Sequence, residues 1–240
     1  MNHDIYEPEH VSALFDRCAG NYRIWSEVSS FGFVYRWRNQ CIGKLAVPPS
    51  QSPVILDLMA GTGETWPMVL KKLPHLSKII AIDISHQMHL HAIEKLHKNN
   101  NERIEHTEAD ILEYSFEDEI ADGIVCSFGL KTFNKEQQEL LADQVYKMLK
   151  PGGTFSFIEA SDPVNWRFRR LYRLYLDHLL PLIEKVFLKG AQDFSMIGTY
   201  TKAFGNCEHF AKCLEAKGLK VTQSKYFFGC ASGVTGEKPD

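Results

Sequence analysis

The chain lacks any long apolar run. None of its 240 residues belongs to a stretch approaching the ~20 apolar residues that a membrane-spanning helix needs. Residues 1–10 are polar and acidic, so they do not have the pattern of a secretory signal peptide. We therefore expect a soluble, cytoplasmic protein with at most peripheral membrane contact.

Basic runs and a disulfide framework are also missing. The formal net charge is −3, and no lysine-rich segment is present, so the sequence predicts no nucleic-acid partner. The six cysteines are scattered without the regular spacing of a disulfide scaffold. This distribution is typical of a protein that stays in a reducing compartment.

A short apolar run that breaks into a glycine loop is the most informative feature present. Residues 54–58 are mainly apolar and predict a strand buried on both faces of a parallel sheet. Gly61 and Gly63 follow, and glycine allows the backbone to turn tightly beside a ligand. A second predicted strand ends at Asp83, about twenty residues later, the offset at which a carboxylate binds ribose hydroxyls. The segment predicts a site for a nucleoside with an unphosphorylated ribose.

The loop lacks the third glycine of the dinucleotide fingerprint. Trp66 stands in its place, which argues against NAD or FAD. Asp110 follows a further strand-like segment, and its carboxylate can accept a hydrogen bond from an adenine amino group. A strand at 122–129 and a helix that ends in a Lys-Pro-Gly-Gly turn at 150–153 complete the pattern. Together these segments favour a nucleoside cofactor at the carboxyl edge of the sheet.

Length and pattern predict one domain spanning residues 1–240. Residues 1–48 form a predicted helical cap, strands and helices alternate from 54 to 159, and further cap helices interrupt the pattern at 162–200. A helix near 207–217 and two strand-like runs, at 219–223 and 225–230, follow. The predicted fold class is α/β, with a Rossmann-like, doubly wound, mostly parallel sheet.

These segments resemble the class I S-adenosylmethionine (SAM)-dependent methyltransferases, in both the glycine loop and the Lys-Pro-Gly-Gly turn. The chain is more similar still to the C-methyltransferases of ubiquinone and menaquinone biosynthesis, over nearly its whole length. That likeness is carried by residues 14–16, Tyr22, 30–32, Trp37, 127–130, Tyr172, Tyr175, His178, 180–181 and Tyr200.

The resemblance implies a seven-stranded sheet and SAM as the cofactor, with S-adenosylhomocysteine as its product. The predicted cofactor-binding residues are Asp57, Gly61, Thr62, Gly63, Asp83, Ile84, Met88, Asp110, Ile111 and Ser127.

The chain departs from that family at two positions that face the substrate there. Lys131 and Thr132 stand where the family usually carries arginine and asparagine. The change removes a planar bidentate donor and an amide, so a pocket built to orient a quinol hydroxyl would be altered. Arg23 and Glu184 likewise replace the family's usual aspartate and glycine.

Methylation of a ring carbon beside a hydroxyl needs a group that helps to remove a proton. The candidate catalytic residues are Tyr22, Lys131, His178 and Tyr200. For His178, the alternative to a catalytic role is a purely structural one.

Other histidines and cysteines give no metal-ligand spacing, so we predict no metal site. The residues considered are His86, His89 and His97 on one predicted helix and Cys207, His209 and Cys213 on another.

The segment 165–189 is expected to select the substrate. Apolar side chains recur in it at helical spacing, and they form either ordinary core or the lining of an apolar pocket. The opposite side carries four arginines, which form either a solvated face or a face that contacts an anionic membrane. Pro181 is expected to kink or end the helix. The apolar positions are Phe168, Leu171, Tyr172, Tyr175 and Leu179, and the basic ones are Arg167, Arg169, Arg170 and Arg173.

The sequence therefore predicts a SAM-dependent methyltransferase of a small apolar acceptor, with a quinol or related aromatic ring methylated at carbon. One alternative is an O-, N- or C-methyltransferase of secondary metabolism with a non-quinone acceptor. Another is a SAM-binding protein without methyl transfer, since a fold does not determine the chemistry. The oligomeric state stays open, with a homodimer as one option.

Overall fold

The computed structural model describes residues 4–49, 52–187 and 196–240. Within these residues, seven strands form one sheet in the order β3-β2-β1-β4-β5-β7-β6. Neighbouring strands are parallel except β7, which is antiparallel to both β5 and β6. The predicted mostly parallel, seven-stranded α/β sheet is confirmed. The strands are β1 Val54–Leu58, β2 Lys78–Asp83, β3 Ile104–Glu108, β4 Ala121–Ser127, β5 Leu149–Ala160, β6 Lys220–Tyr226 and β7 Ala231–Glu237.

Helices cover both faces of the sheet, which makes the fold doubly wound. Apolar residues of α3, α4 and α5 pack in one buried cluster, while those of α6 and α10 pack in another with β4 and β5. The helices are α1 Pro8–Cys18, α2 Tyr22–Ser29, α3 Phe33–Lys44, α4 Trp66–Lys72, α5 His86–Asn99, α6 Lys135–Met148, α7 Arg169–Leu174, α8 Leu180–Phe187, α9 Met196–Phe204 and α10 Glu208–Ala216. Among the described residues, no helix combines the length and apolar character needed to cross a bilayer.

The predicted caps coincide with helices. Helices α1 to α3 lie in the first cap, and α7 to α9 lie in the second, of which residues 188–195 are outside the described residues. The division of the chain into one domain with two caps stays a prediction.

Pro181 alters the helix of the second cap without ending it. A π-helical turn at Tyr175–Leu179 follows α7, and α8 begins at Leu180 and continues through the proline. Because proline has no amide hydrogen for an intrahelical bond, a change of helical register directly before it is a physically reasonable adjustment.

Two predictions on the carboxyl-terminal half of the sheet were wrong. The runs at 219–223 and 225–230 do not form two strands, because β6 spans residues 220–226 and residues 227–229 form a 3-10 turn. Strand β7 was missed because its small residues show no apolar alternation. At Gly236 of β7, a side chain would lie 1.9 Å from the Lys220 carbonyl oxygen, so the strand requires glycine there. The predicted turn at 149–153 is instead the irregular beginning of β5, with a register shift against β4.

Candidate active site

A cavity of about 840 Å³ lies at the carboxyl ends of β1, β2 and β4. Eight of the ten predicted cofactor residues line it: Gly61, Thr62, Asp83, Ile84, Met88, Asp110, Ile111 and Ser127. The sequence pattern thus identified residues that the fold brings to one edge of the sheet.

Asp83 ends β2 and holds the glycine loop. Its Oδ2 accepts a hydrogen bond from the Gly61 amide at 2.7 Å, and its Oδ1 accepts one from the Ser85 amide at 2.9 Å. Burial raises the pKa of Asp83 to about 6, despite these two hydrogen bonds. Each oxygen retains a second lone pair, so the carboxylate can also accept hydrogen bonds from two ligand hydroxyls.

Asp57 and Gly63 do not line the cavity and instead support the loop. The Thr65 hydroxyl donates a hydrogen bond of 2.5 Å to Asp57 Oδ2, and burial raises the pKa of Asp57 to about 7. Gly63 has φ of +73°, and a side chain there would lie 2.3 Å from the Trp66 ring. Trp66, at the place of the missing third glycine, therefore packs directly over this part of the loop.

Substituting Gly63 with alanine is expected to destabilise the fold by about 1–3 kcal/mol, because a left-handed backbone and a displaced Trp66 are both costly. Urea denaturation would measure the change. Gly205→Ala is a matched control, since Gly205 has φ of +70° but no atom within 4 Å of the added carbon. An equal loss in both variants would show that the tryptophan contact contributes nothing.

Asp110 and its neighbours form an apolar slot with one polar edge. Asp110 Oδ1 accepts a hydrogen bond of 2.8 Å from the Leu112 amide, which fixes the carboxylate and leaves Oδ2 for a ligand. Ile111 and Met88 are 3% and 1% exposed and provide apolar surface. A flat, hydrogen-bonding ring such as adenine fits these groups.

His106 supports the same loop from β3. Its Nε2 lies 3.1 Å from the Gly61 carbonyl oxygen, and its Nδ1 lies 2.9 Å from Nδ1 of His89 on α5. Burial lowers the pKa of His106 to about 4, so the ring is neutral near pH 7 and its Nε2 can donate to Gly61. His86 pairs with Glu108 at 2.7 Å.

A second cavity, of about 930 Å³, adjoins the first. The two share Phe15, Tyr22, Phe128 and Thr132, so these side chains stand where a group could pass between the cavities. The rest of the second cavity is mostly apolar and comes from both caps. Its other lining residues are Leu14, Cys18, Ser26, Ser29, Ser30, Val34, Trp37, Lys131, Ala160, Tyr172, Leu176, Leu180, Met196, Ile197 and Tyr200.

A buried ion pair lies beside the shared wall. Lys131 Nζ is 2.8 Å from Glu159 Oε1, and the two side chains are 9% and 0% exposed. Burial alone would lower the pKa of Lys131, but the attraction of Glu159 outweighs it and raises the pKa, so the ammonium stays charged. Glu159 was not among the predicted site residues, although it follows an apolar strand run as Asp83 does.

Phe128 was also missed as a separate element of the site. It has φ of +67°, which is a strained backbone for a bulky residue. This conformation directs the chain from the end of β4 toward Lys131, and the Phe128 side chain lines both cavities. Backbone strain of this kind leaves no signal in a sequence pattern.

The four catalytic candidates occupy different positions. Tyr22 lines both cavities, burial raises its pKa, and among the described residues its hydroxyl makes no hydrogen bond. Tyr200 lines the second cavity, but its hydroxyl donates a hydrogen bond of 2.5 Å to the Ile5 carbonyl. Lys131 lines the second cavity and is paired with Glu159. His178 is exposed and lines neither cavity. The side of the helix that faces the second cavity carries Leu176 and Leu180 instead.

The two faces of the second cap are not as regular as the sequence suggested. From the apolar stripe only Tyr172 lines the cavity, while Phe168, Leu171 and Leu179 are exposed. On the basic side, Arg169 and Arg173 both pair with the buried carboxylate of Asp162. The two predicted alternatives were a solvated face and a membrane-binding face. Neither fits all four arginines, because two of them form ion pairs within the protein.

One group of metal-compatible ligands forms away from the cavities. Glu139, His209 and Cys213 carry ligand atoms within 4.8 Å of one another, and Cys213 Sγ is 3.6 Å from His209 Nε2. Exposed acidic groups such as Glu139 commonly cluster in this way without an ion. The sequence had assigned this segment to an ordinary amphipathic helix, and α10 forms there.

Comparisons with known proteins agree with this geometry. The family model described as the ubiE/COQ5 methyltransferase family matches residues 3–238. The demethylmenaquinone methyltransferase of Bacillus cytotoxicus is 27% identical over 233 residues, covering 97% of each chain.

Solved structures support the fold alone, because their identities are low. A SAM-dependent methyltransferase from Aquifex aeolicus superposes with a TM-score of 0.55 at 15% identity, covering 98% of both chains. Phosphoethanolamine N-methyltransferase 2 of Haemonchus contortus, solved with S-adenosyl-L-methionine, superposes with a TM-score of 0.61 at 14% identity, covering 94% of this chain and 60% of that one. The family match over nearly the whole length, with the cavity at the glycine loop, shows that the chain belongs to the ubiE/COQ5 methyltransferase family and is a SAM-dependent methyltransferase.

Proposed function

We propose that this methyltransferase transfers the methyl group of SAM to a ring carbon of a quinol or a related hydroxylated aromatic compound. The observation that carries the proposal is the mostly apolar second cavity, which meets the cofactor cavity at Phe128 and Tyr22. The demethylmenaquinone methyltransferase similarity supports the same class of acceptor.

The residues of the first cavity suit SAM. In the proposed arrangement, Asp83 accepts hydrogen bonds from the ribose hydroxyls, and Asp110 accepts one from the adenine amino group. Ile111 and Met88 contact the adenine ring, while Gly61 leaves room where a side chain would project. When bound, SAM would supply a sulfonium methyl group, with S-adenosylhomocysteine as the leaving group, and the methylated ring carbon would lose its proton.

Lys131 and Tyr22 are the residues placed to orient and activate an acceptor hydroxyl. The charged Lys131 ammonium favours an ionised hydroxyl, and ionisation raises electron density on the neighbouring ring carbon. The neutral Tyr22 hydroxyl can donate a hydrogen bond to the same oxygen. Because both groups retain their protons, the acceptor proton leaves to water.

Alignment is the second contribution of the site. Phe15, Tyr22 and Phe128 line both cavities, so they border the point at which donor and acceptor would meet. Holding donor and acceptor in near-attack geometry can supply several kcal/mol of the barrier.

A different hydroxylated acceptor is the second candidate. The lysine at position 131 is already paired with Glu159, so its charge is available to the substrate only in part. That arrangement favours an acceptor with a different pattern of hydroxyls, such as a secondary metabolite.

The proposal is tested by transfer of a labelled methyl group from SAM to a short-chain demethylmenaquinol kept reduced, with Tyr22→Phe as a variant. We expect transfer by the wild-type protein and a loss of about tenfold or more in kcat for the variant, since one hydrogen bond to a developing charge is lost. Normal SAM binding without transfer to the quinol would contradict the quinol assignment and favour the second candidate.

Two further properties belong to the proposal. A reducing, cytoplasmic location is supported by the six cysteines, all of which are buried and none of which forms a disulfide. Homodimer formation stays a prediction, which sedimentation velocity would check.

A further inference from the structure

Two consecutive phenylalanines between β6 and β7 combine exposure with backbone strain. Phe227 and Phe228 are 45% and 69% exposed, and their φ angles are +42° and +58°. A left-handed backbone is costly for bulky residues, and exposure of large aromatic rings to water gains nothing for the fold. Features retained at a cost to stability point to a function.

These phenylalanines belong to a continuous cluster, which we call the aromatic tip: Phe33, Trp166, Phe168, Phe227 and Phe228. The Phe33 and Phe227 ring centroids are 4.4 Å apart, and Trp166 stacks on Phe228 with an interplanar angle of 1° at 5.4 Å. Trp166 also contacts Phe168 at 5.7 Å. The tip therefore joins α3, the segment before α7 and the β6–β7 connection into one apolar surface.

Asp162 lies near the tip but is paired with Arg169 and Arg173, and in the described part of the chain the cations closest to the exposed rings carry no such partner. The groove beside the tip contains Arg36 and Lys225 and no carboxylate, and the Arg167 guanidinium lies over the Phe168 ring. Among the described residues, none of these three cations forms an ion pair. Stretches 28–49, 163–176 and 216–236, which contain the five tip residues, carry ten lysines and arginines but no aspartate or glutamate, although the whole chain has a net charge of −3.

We propose that the aromatic tip docks onto an anionic lipid bilayer, with Phe227 and Phe228 entering the interface and Arg36, Lys225 and Arg167 contacting lipid phosphates. Aromatic rings surrounded by cations are the combination that binds such a surface, through apolar burial together with charge attraction. The surface differs from the basic helix face suggested by the sequence, because Arg169 and Arg173 are paired with Asp162.

The tip is also continuous with the proposed site of methyl transfer. Phe227 contacts Phe33, Phe33 contacts Trp37 at 5.6 Å, and Trp37 contacts Phe128 at 6.2 Å. Trp37 lines the second cavity, and Phe128 lines both cavities. Docking at the tip would bring this cavity close to the bilayer. This part of the inference rests on the proposed function, because an apolar acceptor would be found in the membrane.

The test is cosedimentation of the full chain with phosphatidylcholine vesicles, with and without phosphatidylglycerol. We expect binding that requires phosphatidylglycerol and weakens as salt is added, since screening reduces the charge attraction. The variant F227N/F228N should bind at least about tenfold more weakly, because each phenyl ring contributes apolar burial. Asparagine tolerates a left-handed backbone, so the thermal midpoint of the variant should be equal or higher.

Control variants distinguish binding through the aromatic tip from nonspecific binding to vesicles. Leu140→Gln removes a 54% exposed apolar side chain from α6, on the other face of the sheet, and should leave vesicle binding unchanged. Arg36→Gln with Lys225→Gln should weaken binding only to vesicles that contain phosphatidylglycerol. All variants should keep the wild-type affinity for SAM.

Three results would overturn the proposal: equal binding with and without phosphatidylglycerol, equal losses in L140Q and F227N/F228N, or a tip variant that changes the oligomeric state but not vesicle binding. The last result would identify the tip as a protein interface. Vesicle binding is measured without a methyl acceptor, so it can succeed or fail independently of quinol methylation.

Discussion

Asp83→Ala is expected to weaken SAM binding by about 100-fold or more, since two charge-assisted hydrogen bonds contribute about 1.5–3 kcal/mol each. The variant also loses the contact that fixes the Gly61 amide. The fold should survive, because burial already disfavours the charge of Asp83 and raises its pKa to about 6. Calorimetric titration with SAM would measure the affinity, and an unchanged value would refute the ribose assignment.

The pKa of Asp83 also gives the pH dependence of binding. As the pH falls below about 6, Asp83 takes up a proton and loses its attraction for ribose hydroxyls and for a sulfonium. Affinity for SAM should therefore fall by up to about tenfold per pH unit below this value. Asp83→Asn, which keeps the shape but cannot ionise, should bind weakly and lose this pH dependence. A variant that kept it would place the titrating group elsewhere.

Stability of the unliganded protein should change with pH in the opposite direction. The folded pKa of Asp83 lies above its ordinary value of 3.8, so the native state holds the proton more tightly than the unfolded chain does. The stability that this proton confers is present below pH 4 and is lost as the pH rises toward 6. At neutral pH the buried, ionised Asp83 therefore lowers the stability of the unliganded protein, and SAM binding would offset this loss.

The sequence predicted which residues meet at the cavity beside the glycine loop, because the signals for that placement are local. Gly61 and Asp83 each follow a short apolar run, and parallel strands bring their carboxyl ends to one edge. Their positions beside one cavity can therefore be predicted from short sequence segments, without knowing contacts between distant parts of the chain.

The acceptor half depends on contacts between distant segments, and the sequence predicted less of it. His178 was chosen because it lies near the tyrosines of the predicted helix and matches a family position, but a π-turn before Pro181 changes the register, and His178 is exposed. Glu159 and Lys131 are 28 residues apart, and only β-sheet geometry shows that they form a pair. The strain at Phe128 and Phe228 likewise exists only in three dimensions.

Lys131→Ala is expected to lower the free energy of unfolding by about 3–5 kcal/mol, because it leaves the fully buried Glu159 without its counter-charge. We expect a loss at the lower end of this range of unfolding free energy. Glu159 still accepts hydrogen bonds from the amides of residues 131 and 160, at 3.1 and 2.7 Å. Urea denaturation would measure the loss. A change below about 1 kcal/mol would mean that the pair behaves like a surface salt bridge.

The double variant K131M/E159L separates stability from catalysis. Removing both charges and keeping apolar volume should restore most of the stability, because no unpaired buried charge remains. Methyl transfer should be low in the double variant and in Lys131→Ala alike, since no cation is left to favour an ionised acceptor hydroxyl. Lys131→Arg keeps the charge and should retain part of the activity. If the double variant transferred methyl groups at the wild-type rate, the pair would be structural, and activation of the acceptor would fall to Tyr22 alone.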